Sequence, residues 1–405
     1  MPRITAPFSV LLLGAAWLTI TSCWPTPSQT PPPVEGFNVQ PERRDFSAQR
    51  LAELNVPDGF QVEAFATGLG NVRMLTQAPD GTVFATRRHE GDVLALKDEN
   101  GDQKADKIQT VASGIPQLNG ITLRENRLYL APPTQVLVAE VQPNGSLASP
   151  SVFVDGLPDG GQHPNRTIAF GPDGMFYITV GSTCNECSEP NPDQATVLRT
   201  NADGTGRMIF AKGLRNTIGF DWHPTTGALW GMDHGTDWRG DNEPPEELNQ
   251  IVQNGNYGWP YCFGDKQVDV YTPSKPPGVT RETYCEGTIA PALTYQAHSS
   301  PLGLVFYDSK RYPEATRFPQ EFDGDAFVTF RGSWNRKEPV GYKVARVRFE
   351  NGKPVRFDDF LTGFLIEGGK AHFGRPAGIT IANDGSLLVA DDTNGVIYRI
   401  SRRAS

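Results

Sequence analysis

Clustered basic residues are scarce in this sequence. It has 37 lysines and arginines against 46 aspartates and glutamates, and it has no basic run beyond short pairs. Because phosphate binding needs clustered lysine and arginine, we expect no nucleic-acid partner. Helical heptads are missing too, which argues against a protein built from long helices. Neither a Rossmann fingerprint after a strand nor a haem attachment motif is present, so we expect neither a nicotinamide enzyme nor an internal haem acceptor.

Glycine and proline, in contrast, are plentiful. The chain has 42 glycines and 34 prolines, while charged residues make up only 20% of it. This composition is typical of short strands joined by many turns. At 405 residues the chain could form two average domains, but all-β barrels and propellers often reach this size as single units. We therefore expect an all-β protein.

The N-terminus has the features of a bacterial export signal. Arg3 supplies a positive region, and Phe8 to Ile20 forms an apolar core that is too short to span a bilayer comfortably. The core runs into Leu18-Thr19-Ile20-Thr21-Ser22-Cys23, which resembles a lipobox, so cleavage before Cys23 would leave a cysteine for lipid attachment. An ordinary signal peptide with an incidental cysteine is the alternative.

These features divide the chain into three parts. We predict a lipoprotein signal peptide at residues 1–22, a lipidated cysteine and proline-rich tether at 23–50, and a folded domain at 51–405. The expected location is outside the cytoplasm, with the protein held at the bacterial cell envelope by lipid alone. No other segment of the sequence is a transmembrane candidate.

Four cysteines remain if Cys23 is acylated. In an oxidising compartment an even number suggests two disulfides, and the simplest of three connectivities pairs Cys184 with Cys187 and Cys262 with Cys285. A redox centre at the CxxC motif, or a zinc site that uses all four thiols, is the alternative. Neither a nearby histidine at finger spacing nor a thioredoxin-like context supports that alternative.

A loose repeat of strand, turn, strand, loop and strand runs through the sequence, often with Pro-Asp-Gly as its turn. Six copies are recognisable, at residues 74–96, 120–139, 167–182, 219–231, 325–347 and 378–400. One such small sheet cannot bury both of its faces, so radial stacking into a six-bladed β-propeller is expected. The segment Phe60 to Ala66 could add an outer strand to the last blade and close the ring. A pair of β-sandwiches is the alternative fold.

Polar residues stand at equivalent places in several copies. His163, Arg215-Asn216 and Arg375-Pro376 each precede the first strand of a copy, as does Asn119-Gly120. In a propeller these places converge at one mouth of the central channel. The repeat therefore predicts a ring of polar side chains that forms a cofactor or substrate site. His163, in a glycine-rich loop before an apolar strand, is the candidate general base.

Several short motifs follow one another in an order that resembles one enzyme family. They are Gly160 to Thr167, Gly171 to Gly174, Gly213 to Asn216, Asp233 to Gly235, Gly255 to Pro260, Gly332 to Arg336, and Gly374 to Pro376. From about Val56 to Ser401 the chain is similar to the sorbosone and soluble glucose dehydrogenases. These are six-bladed quinoproteins that use pyrroloquinoline quinone and calcium. The loop Gly181 to Asn185 is most similar to the sorbosone branch.

The resemblance implies roles for individual residues. His163 matches the general base that takes a proton from the sugar hydroxyl. Arg215 and Asn216 match the pair that contacts the quinone and its developing negative charge, so Arg215 is expected to be catalytic as well as cofactor-binding. Arg331 and Arg375 fall near further cofactor-binding positions. A surface ion pair is the alternative for these last two. The backbone carbonyls of Gly235 and Thr236 match those that hold calcium, a cation that prefers oxygen ligands.

One departure from the family pattern concerns the support of the base. In the glucose branch the strand after the histidine ends in Gly-Asp, and that aspartate orients the histidine. Here the matching pair is Gly181-Ser182. Either another carboxylate, such as Asp237 or Asp159, supports His163, or its basicity is tuned in a different way.

A second calcium candidate lies between the first two repeats. Residues Asp98 to Asp106 place oxygen side chains at alternate positions, as in the first half of an EF-hand loop. The glycine and the closing glutamate of that loop are missing at the usual offsets. A plain acidic turn is the alternative.

The resemblance implies oxidation of an aldose or related sugar, with electrons passing from the quinone to an external acceptor. The alternative from another enzyme class is a calcium-dependent propeller lactonase or hydrolase, which would need no quinone. A non-catalytic propeller that binds sugars or proteins is the third possibility. Against it, His163, Arg215 and Asn216 supply more polar chemistry than a binding platform requires.

Overall fold

A computed structural model describes residues 1, 2 and 34–403 of the chain. The predicted lipobox, with Cys23, lies outside the described residues. Among the helices that the model describes, none is both long and apolar enough to cross a membrane.

The described residues form mainly short strands. The strands of the first half are β1 (Glu42–Arg43), β2 (Phe60–Ala66), β3 (Val72–Gln77), β4 (Val83–Arg87), β5 (Asp92–Lys97), β6 (Lys107–Ala112), β7 (Gly120–Arg124), β8 (Arg127–Ala131), β9 (Val136–Glu140), β10 (Ser151–Val154), β11 (Ile168–Phe170), β12 (Phe176–Val180), β13 (Thr196–Thr200) and β14 (Met208–Lys212).

The second half of the chain also forms mainly short strands. Its strands are β15 (Thr217–Trp222), β16 (Leu229–Asp233), β17 (Glu246–Ile251), β18 (Gly255–Asn256), β19 (Cys262–Phe263), β20 (Gln267–Val268), β21 (Leu293–Tyr295), β22 (Pro301–Phe306), β23 (Ala326–Phe330), β24 (Lys343–Glu350), β25 (Lys353–Leu361), β26 (Leu365–Ile366), β27 (Ala371–His372), β28 (Pro376–Ile381), β29 (Leu387–Asp391) and β30 (Val396–Arg402). The helices are α1 (Ala48–Ala52), α2 (Arg281–Glu286) and 3-10 turns at Ser309–Arg311, Gln320–Phe322 and Glu367–Gly369.

Within residues 34–403 these strands build six sheets of four or five strands. Their orders are β3-β4-β5-β6, β7-β8-β9-β10, β11-β12-β13-β14-β18, β15-β16-β17-β21, β22-β23-β24-β25 and β28-β29-β30-β2. Strands that follow one another in a sheet pair antiparallel, whereas β18 joins β14 in parallel. Two smaller sheets, β1-β27-β26 and β19-β20, lie outside this set.

The sheets are arranged like a propeller. The first strand of each sheet contacts the next sheet in turn: β3 contacts β7, β7 contacts β11, β15 contacts both β12 and β22, and β28 contacts both β22 and β3. Apolar side chains fill the space between neighbouring sheets; for example, Trp230 and Met232 of β16 pack with Leu304 and Phe306 of β22. The all-β prediction is confirmed.

Two details bear on the predicted repeats. Strand β2 pairs antiparallel with β30, as expected for an N-terminal segment that completes the last sheet. The fifth repeat, however, begins earlier than predicted, because its first strand is Pro301–Phe306 rather than a strand near residue 325. A long excursion between β17 and β22 separates this strand from the fourth repeat, so local spacing did not reveal it.

Ordered structure begins before residue 51, the predicted start of the folded domain. Strand β1 pairs in parallel with β27, and Arg44 forms hydrogen bonds of 2.9 and 3.0 Å with the carboxylate of Glu367. The backbone N–H of Val39 also donates to the carbonyl of Trp334. Part of the predicted tether is therefore packed against the propeller. Its contacts are with residues far away in the chain, so the local sequence does not predict them.

Side chains at the ends of second strands fix the starts of first strands. Asp233, at the end of β16, accepts hydrogen bonds from the backbone N–H groups of Arg215 and Asn216 and from the hydroxyl of Thr217. Corresponding contacts in other sheets join Thr86 to Met74, Thr179 to Thr167, Thr329 to Gly303 and Asp391 to Arg375. Because the start of a first strand and the end of a second strand lie at the same edge, these contacts organise one mouth of the propeller.

Phe60 provides a test of the packing at the closing strand. It opens β2, is 4% exposed, and makes edge contacts with Phe318, Phe322 and Phe360 at centroid distances of 4.7, 5.4 and 5.3 Å. We expect Phe60→Ala to lower the free energy of unfolding by about 3–5 kcal/mol in urea denaturation, because a buried ring is lost and a cavity remains.

Val152→Ala is the matched control, since Val152 is 55% exposed. It should change the free energy of unfolding by less than about 0.5 kcal/mol. Equal effects of the two substitutions would contradict the packing of β2 against the fifth sheet.

Candidate active site

A cavity of about 240 Å³ opens at the mouth where first strands begin and second strands end. Its walls carry three histidines, three arginines, two carboxylates and several amides. The lining residues are Arg73, Gln162, His163, Asn165, Arg215, Asn216, Ile218, His234, Gly235, Asp237, Glu246, His298, Ser300, Leu302, Arg331, Trp334 and Asn335. The structure therefore brings His163, Arg215 and Asn216 together at one mouth, as predicted.

His163 is held by Ser182. Its Nδ1 lies 3.0 Å from the carbonyl oxygen of Ser182 and 2.8 Å from the Ser182 hydroxyl. A carbonyl oxygen only accepts, and the Ser182 hydroxyl donates to the carbonyl of Cys184 at 2.8 Å, so Nδ1 must carry the proton. The neutral imidazole then has its free lone pair on Nε2. The His163 side chain that carries this nitrogen lines the cavity.

The surroundings keep His163 uncharged. Burial, followed by the positive charge of Arg215 and the presence of His234, lowers the pKa of His163 to about 2. A neutral imidazole with a free lone pair is the form that a general base requires. Close approach is possible because residue 181 is glycine: a Cβ there would lie 2.6 Å from the His163 Cβ and 2.8 Å from the Asn216 Oδ1.

Arg215 is the most extensively bound side chain of the site, and it is 3% exposed. Its guanidinium donates to the carbonyl and side-chain oxygens of Asn185, to the carbonyl of Gly235, and to the carboxylate of Asp237, all at 2.8–2.9 Å. Because three of its nitrogens are engaged in this way, the side chain is fixed before any ligand arrives.

His234 follows the same pattern as His163. Its Nδ1 donates to the carbonyl of Asn216 at 2.8 Å, which leaves Nε2 unprotonated. Burial is the main reason that the pKa of His234 is lowered to about 4. The cavity thus holds two neutral histidines beside a fixed arginine.

A second cationic group lies across the cavity. Arg73 and Arg331 both pair with the buried carboxylate of Asp392, and the Arg331 Nε lies 2.8 Å from it. Burial lowers the pKa of Arg73 to about 10, with Asp392 opposing this and Arg331 adding to it. One carboxylate therefore faces two guanidinium groups, so this side of the cavity carries excess positive charge.

Arg375 lies behind the cavity wall, and its predicted contact with a cofactor stays a prediction. Its guanidinium donates to the backbone carbonyls of Arg331 and Gly332 at 3.0 and 2.6 Å, and it is not among the cavity-lining residues. It supports the turn that carries Arg331 instead of reaching into the cavity. Arg331 itself does line the cavity, as expected.

Gly235 and Thr236, the two predicted calcium-binding residues, differ in their position relative to the cavity. Gly235 lines the cavity and its carbonyl accepts from Arg215, whereas Thr236 is buried and does not line the cavity. Two carboxylates lie beside this carbonyl: Asp237, and Glu246, which accepts from the backbone N–H groups of Gly235 and Ser300. This end of the cavity therefore presents a set of oxygen atoms.

The support of His163 is neither of the carboxylates suggested from the sequence. The described hydrogen bonds of its ring involve Ser182 alone, and Asp237 is instead bound to Arg215 and to the side chain of Asn335 at 2.8 Å. Ser182, which the sequence matches to the aspartate of the glucose branch, supplies a carbonyl and a hydroxyl acceptor to the ring.

Comparisons with known proteins identify the family of the chain. Residues 54–403 match the model of the TrAA12-like family. The chain belongs to that family. An uncharacterized protein of Borreliella burgdorferi is 30% identical over 363 residues, which cover 86% of this chain and 90% of that protein. The quinoprotein glucose dehydrogenase B of Acinetobacter calcoaceticus is 25% identical over 270 residues, and the match spans 53% of this chain and 55% of the quinoprotein.

Solved structures show the same fold. The TrAA12-like chain superposes on a calcium structure of the Trichoderma reesei enzyme of family AA12 with a TM-score of 0.74 at 20% identity, over 91% of this chain and 99% of that one. The holo form of the pyranose dehydrogenase PQQ domain from Coprinopsis cinerea gives a TM-score of 0.72 at 21% identity, over 89% and 98% of the two chains. The predicted resemblance to the sugar quinoproteins is confirmed.

Some site residues of this TrAA12-like protein were not predicted. They are Arg73, His234, Glu246, His298 and Trp334. Arg73 stands at the start of the first strand of its sheet, as Arg215 and Arg375 do in theirs, so the repeat could have indicated it. His234 and Trp334 lie within two of the family motifs, but the resemblance gave them no role. Glu246 opens β17 and His298 precedes β22, and no local pattern marks either of them as a site residue.

Both predicted disulfides are present, Cys184–Cys187 and Cys262–Cys285. The four thiols are therefore paired with each other and do not form a shared zinc site. The acidic loop between β5 and β6 brings carboxylate oxygens of Asp98, Asp102 and Asp106 within 4.8 Å of one another. Backbone N–H groups within the same loop already donate to these carboxylates, so calcium binding there stays a prediction.

The lowered pKa of His163 has a consequence for stability. Between its folded value of about 2 and the unfolded value of about 6.5, the unfolded chain binds a proton at this residue and the folded chain does not. His163 thus contributes fully to the free energy of unfolding above pH 6.5, and this contribution is lost as the pH falls. At pH 5 the loss should be about 2 kcal/mol.

We therefore expect urea denaturation to show a smaller decrease in stability from pH 7 to pH 5 for His163→Gln than for the unmodified protein. Because each protein is compared with itself at the two pH values, any pH-independent effect of the substitution on stability cancels. The same decrease in both proteins would show that the imidazole is not held neutral by the fold.

Proposed function

We propose that this protein is a sugar dehydrogenase that depends on pyrroloquinoline quinone and calcium and passes electrons to an external acceptor. The observation that carries the proposal is a neutral histidine, with its Nε2 lone pair free, in a cavity lined by three arginines. A six-bladed propeller is part of the proposal, and the ring of contacts among six sheets supports it.

The charge of the cavity fits the cofactor. Pyrroloquinoline quinone is a planar ortho-quinone with several carboxylates, and when bound it supplies an acceptor for hydride. Arg73 and Arg331 share the single carboxylate of Asp392, so they keep donors and positive charge for an anion. Arg215 would face the quinone oxygens from a position that the protein has already fixed.

The oxygen atoms at the other end fit calcium. The carbonyl of Gly235 and the carboxylates of Asp237 and Glu246 are ligands of the type that this cation takes. A carbonyl oxygen has two lone pairs, so Gly235 can accept from Arg215 and still face a cation. Thr236 is less suited to this role, because it does not line the cavity.

His163 would act as the base. Its Nε2 would take the proton of the sugar hydroxyl, and Nδ1 would keep its hydrogen bonds to Ser182 throughout. The bound quinone would supply the acceptor for the hydride that is lost from the carbon bearing this hydroxyl. The neighbouring Arg215 and His234 disfavour a lasting imidazolium, so the proton has to leave again after turnover. Trp334, also in the cavity wall, offers an apolar face for a sugar ring.

The relatives support the substrate class. Beside the glucose dehydrogenase, a pyrroloquinoline quinone-dependent sugar dehydrogenase of Hypocrea jecorina is 26% identical over 238 residues, half of each chain. These matches cover only about half of the relatives, so we extend to this chain the class of substrate, an aldose or related sugar, and no single sugar.

His163→Asn tests the proposed reaction. In a dye-reduction assay with quinone, calcium and a panel of aldoses, we expect kcat to fall by about 10²–10⁴-fold, because the base is lost. Quinone affinity should stay within about twofold, because the arginines remain. His89→Asn is the matched control, since His89 is exposed and is not part of the cavity wall.

Full activity of His163→Asn would refute the assignment of the base. Failure of the unmodified protein to reduce the dye with every aldose tested would refute the proposed function itself.

A further inference from the structure

One short loop contacts both the proposed base and the buried arginine. This loop, residues 182–189, lies between β12 and β13 and forms no strand, and its residues 183–186 are bends. Within this loop the disulfide between Cys184 and Cys187 closes a ring with only Asn185 and Glu186 between the two cysteines. The structure therefore places a covalent constraint at the wall of the site.

The first contact leads to the base. The Ser182 hydroxyl donates to the carbonyl of Cys184 at 2.8 Å, which turns its lone pairs toward the Nδ1 of His163, 2.8 Å away. The backbone N–H of Ser182 donates to the carbonyl of Arg215 at 2.8 Å. The position of the Cys184 carbonyl thus decides whether the Ser182 hydroxyl can accept from the histidine.

The second contact leads to the arginine. Asn185 lies inside the disulfide ring and accepts from Arg215 with both its carbonyl and its side-chain oxygen, at 2.9 and 2.8 Å. The same residue exchanges two hydrogen bonds with the backbone of Asp237, at 2.8 and 3.1 Å. Backbone-to-backbone hydrogen bonds hold the loop only at Ser182 and Thr183, and side-chain contacts from Thr183 to Glu189 and from Glu186 to Arg239 hold it further. The disulfide adds a covalent limit to the conformations that Asn185 can take.

The second disulfide serves as an internal comparison. Cys262 and Cys285 are 23 residues apart, are 5% and 1% exposed, and do not line the cavity. A cross-link across a longer loop removes more freedom from the unfolded chain, so this bond should contribute more to global stability than the Cys184–Cys187 bond. The two bonds thus allow an effect on stability to be separated from an effect on the site.

We propose that the Cys184–Cys187 disulfide is a positioning element of the active site, which holds Ser182 on the proton-bearing nitrogen of His163 and Asn185 on the guanidinium of Arg215. The proposal deepens the proposed dehydrogenase function and rests on it for the effect on turnover. The effect on the histidine does not depend on the cofactor.

The test compares two double variants, Cys184→Ser with Cys187→Ser, and Cys262→Ser with Cys285→Ser. We expect the first to lower kcat by about 10- to 100-fold and to weaken quinone binding, because both functional side chains lose their fixed places. We expect the second to lower Tm by the larger amount while its kcat stays within about twofold of the unmodified protein. The opposite pattern would overturn the proposal.

A second readout needs neither cofactor nor substrate. Long-range ¹H–¹⁵N NMR spectra of the cofactor-free protein distinguish an imidazole protonated on Nδ1 from one protonated on Nε2, and the loss of one signal in His163→Asn identifies His163. We expect the Nδ1–H form in the unmodified protein and in the Cys262/Cys285 variant, and a mixture in the Cys184/Cys187 variant. An unchanged Nδ1–H form in that variant would overturn the proposal even if no sugar is ever oxidised.

If the Cys184/Cys187 variant fails to fold, reduction of the folded protein replaces it. Dithiothreitol gives two electrons and two protons to the disulfide, leaves two thiols, and becomes a cyclic disulfide itself. The partly exposed Cys184–Cys187 bond should be reduced before the buried Cys262–Cys285 bond, which alkylation and mass spectrometry can verify. After removal of the reagent, an unchanged His163 tautomer and unchanged quinone affinity would contradict the proposal.

Discussion

The guanidinium of Arg215 is the group on which the arrangement of the site depends. It joins the loop after β12, through Asn185, to the loop after β16, through Gly235 and Asp237. Hydrogen bonds to a charged group contribute about 1.5–3 kcal/mol each, which offsets the cost of burying the cation. Asp233 fixes the backbone from which this side chain extends. Without Arg215, the carboxylate of Asp237 would be left partly buried and without its cation.

The charge of Arg215 also connects the two halves of the proposed chemistry. The positive field that favours an anionic cofactor is one of the causes that keep His163 unprotonated. Burial and the neighbouring cations keep His163 neutral over the whole physiological pH range, whereas an aspartate beside the ring would favour the charged imidazolium. Ser182 supplies what remains necessary, which is acceptors that fix the proton on Nδ1. The chain can therefore depart from the Gly-Asp pair of the glucose branch and still hold His163 in one tautomer.

Much of this could be predicted from the sequence, because the repeat is local. Turn residues and alternating apolar residues indicated the sheets, and the places before first strands indicated the mouth with His163, Arg215 and Asn216. The fifth sheet was misplaced because Pro301–Phe306 follows a long excursion. The partner of Arg215 and the position of Arg375 depend on contacts between residues far apart in the chain, such as the 52 positions between Asn185 and Asp237. Spacing within the sequence carries no information about such contacts.

The most direct test of the account is a titration of metal-stripped protein with pyrroloquinoline quinone, followed by the quinone absorbance with and without calcium. We expect saturable binding that depends on calcium and becomes at least about tenfold weaker when Arg73 and Arg331 are both replaced by glutamine. Absence of binding in the presence of calcium, or binding that the double substitution leaves unchanged, would contradict the account and would favour a calcium-dependent hydrolase or a binding propeller instead.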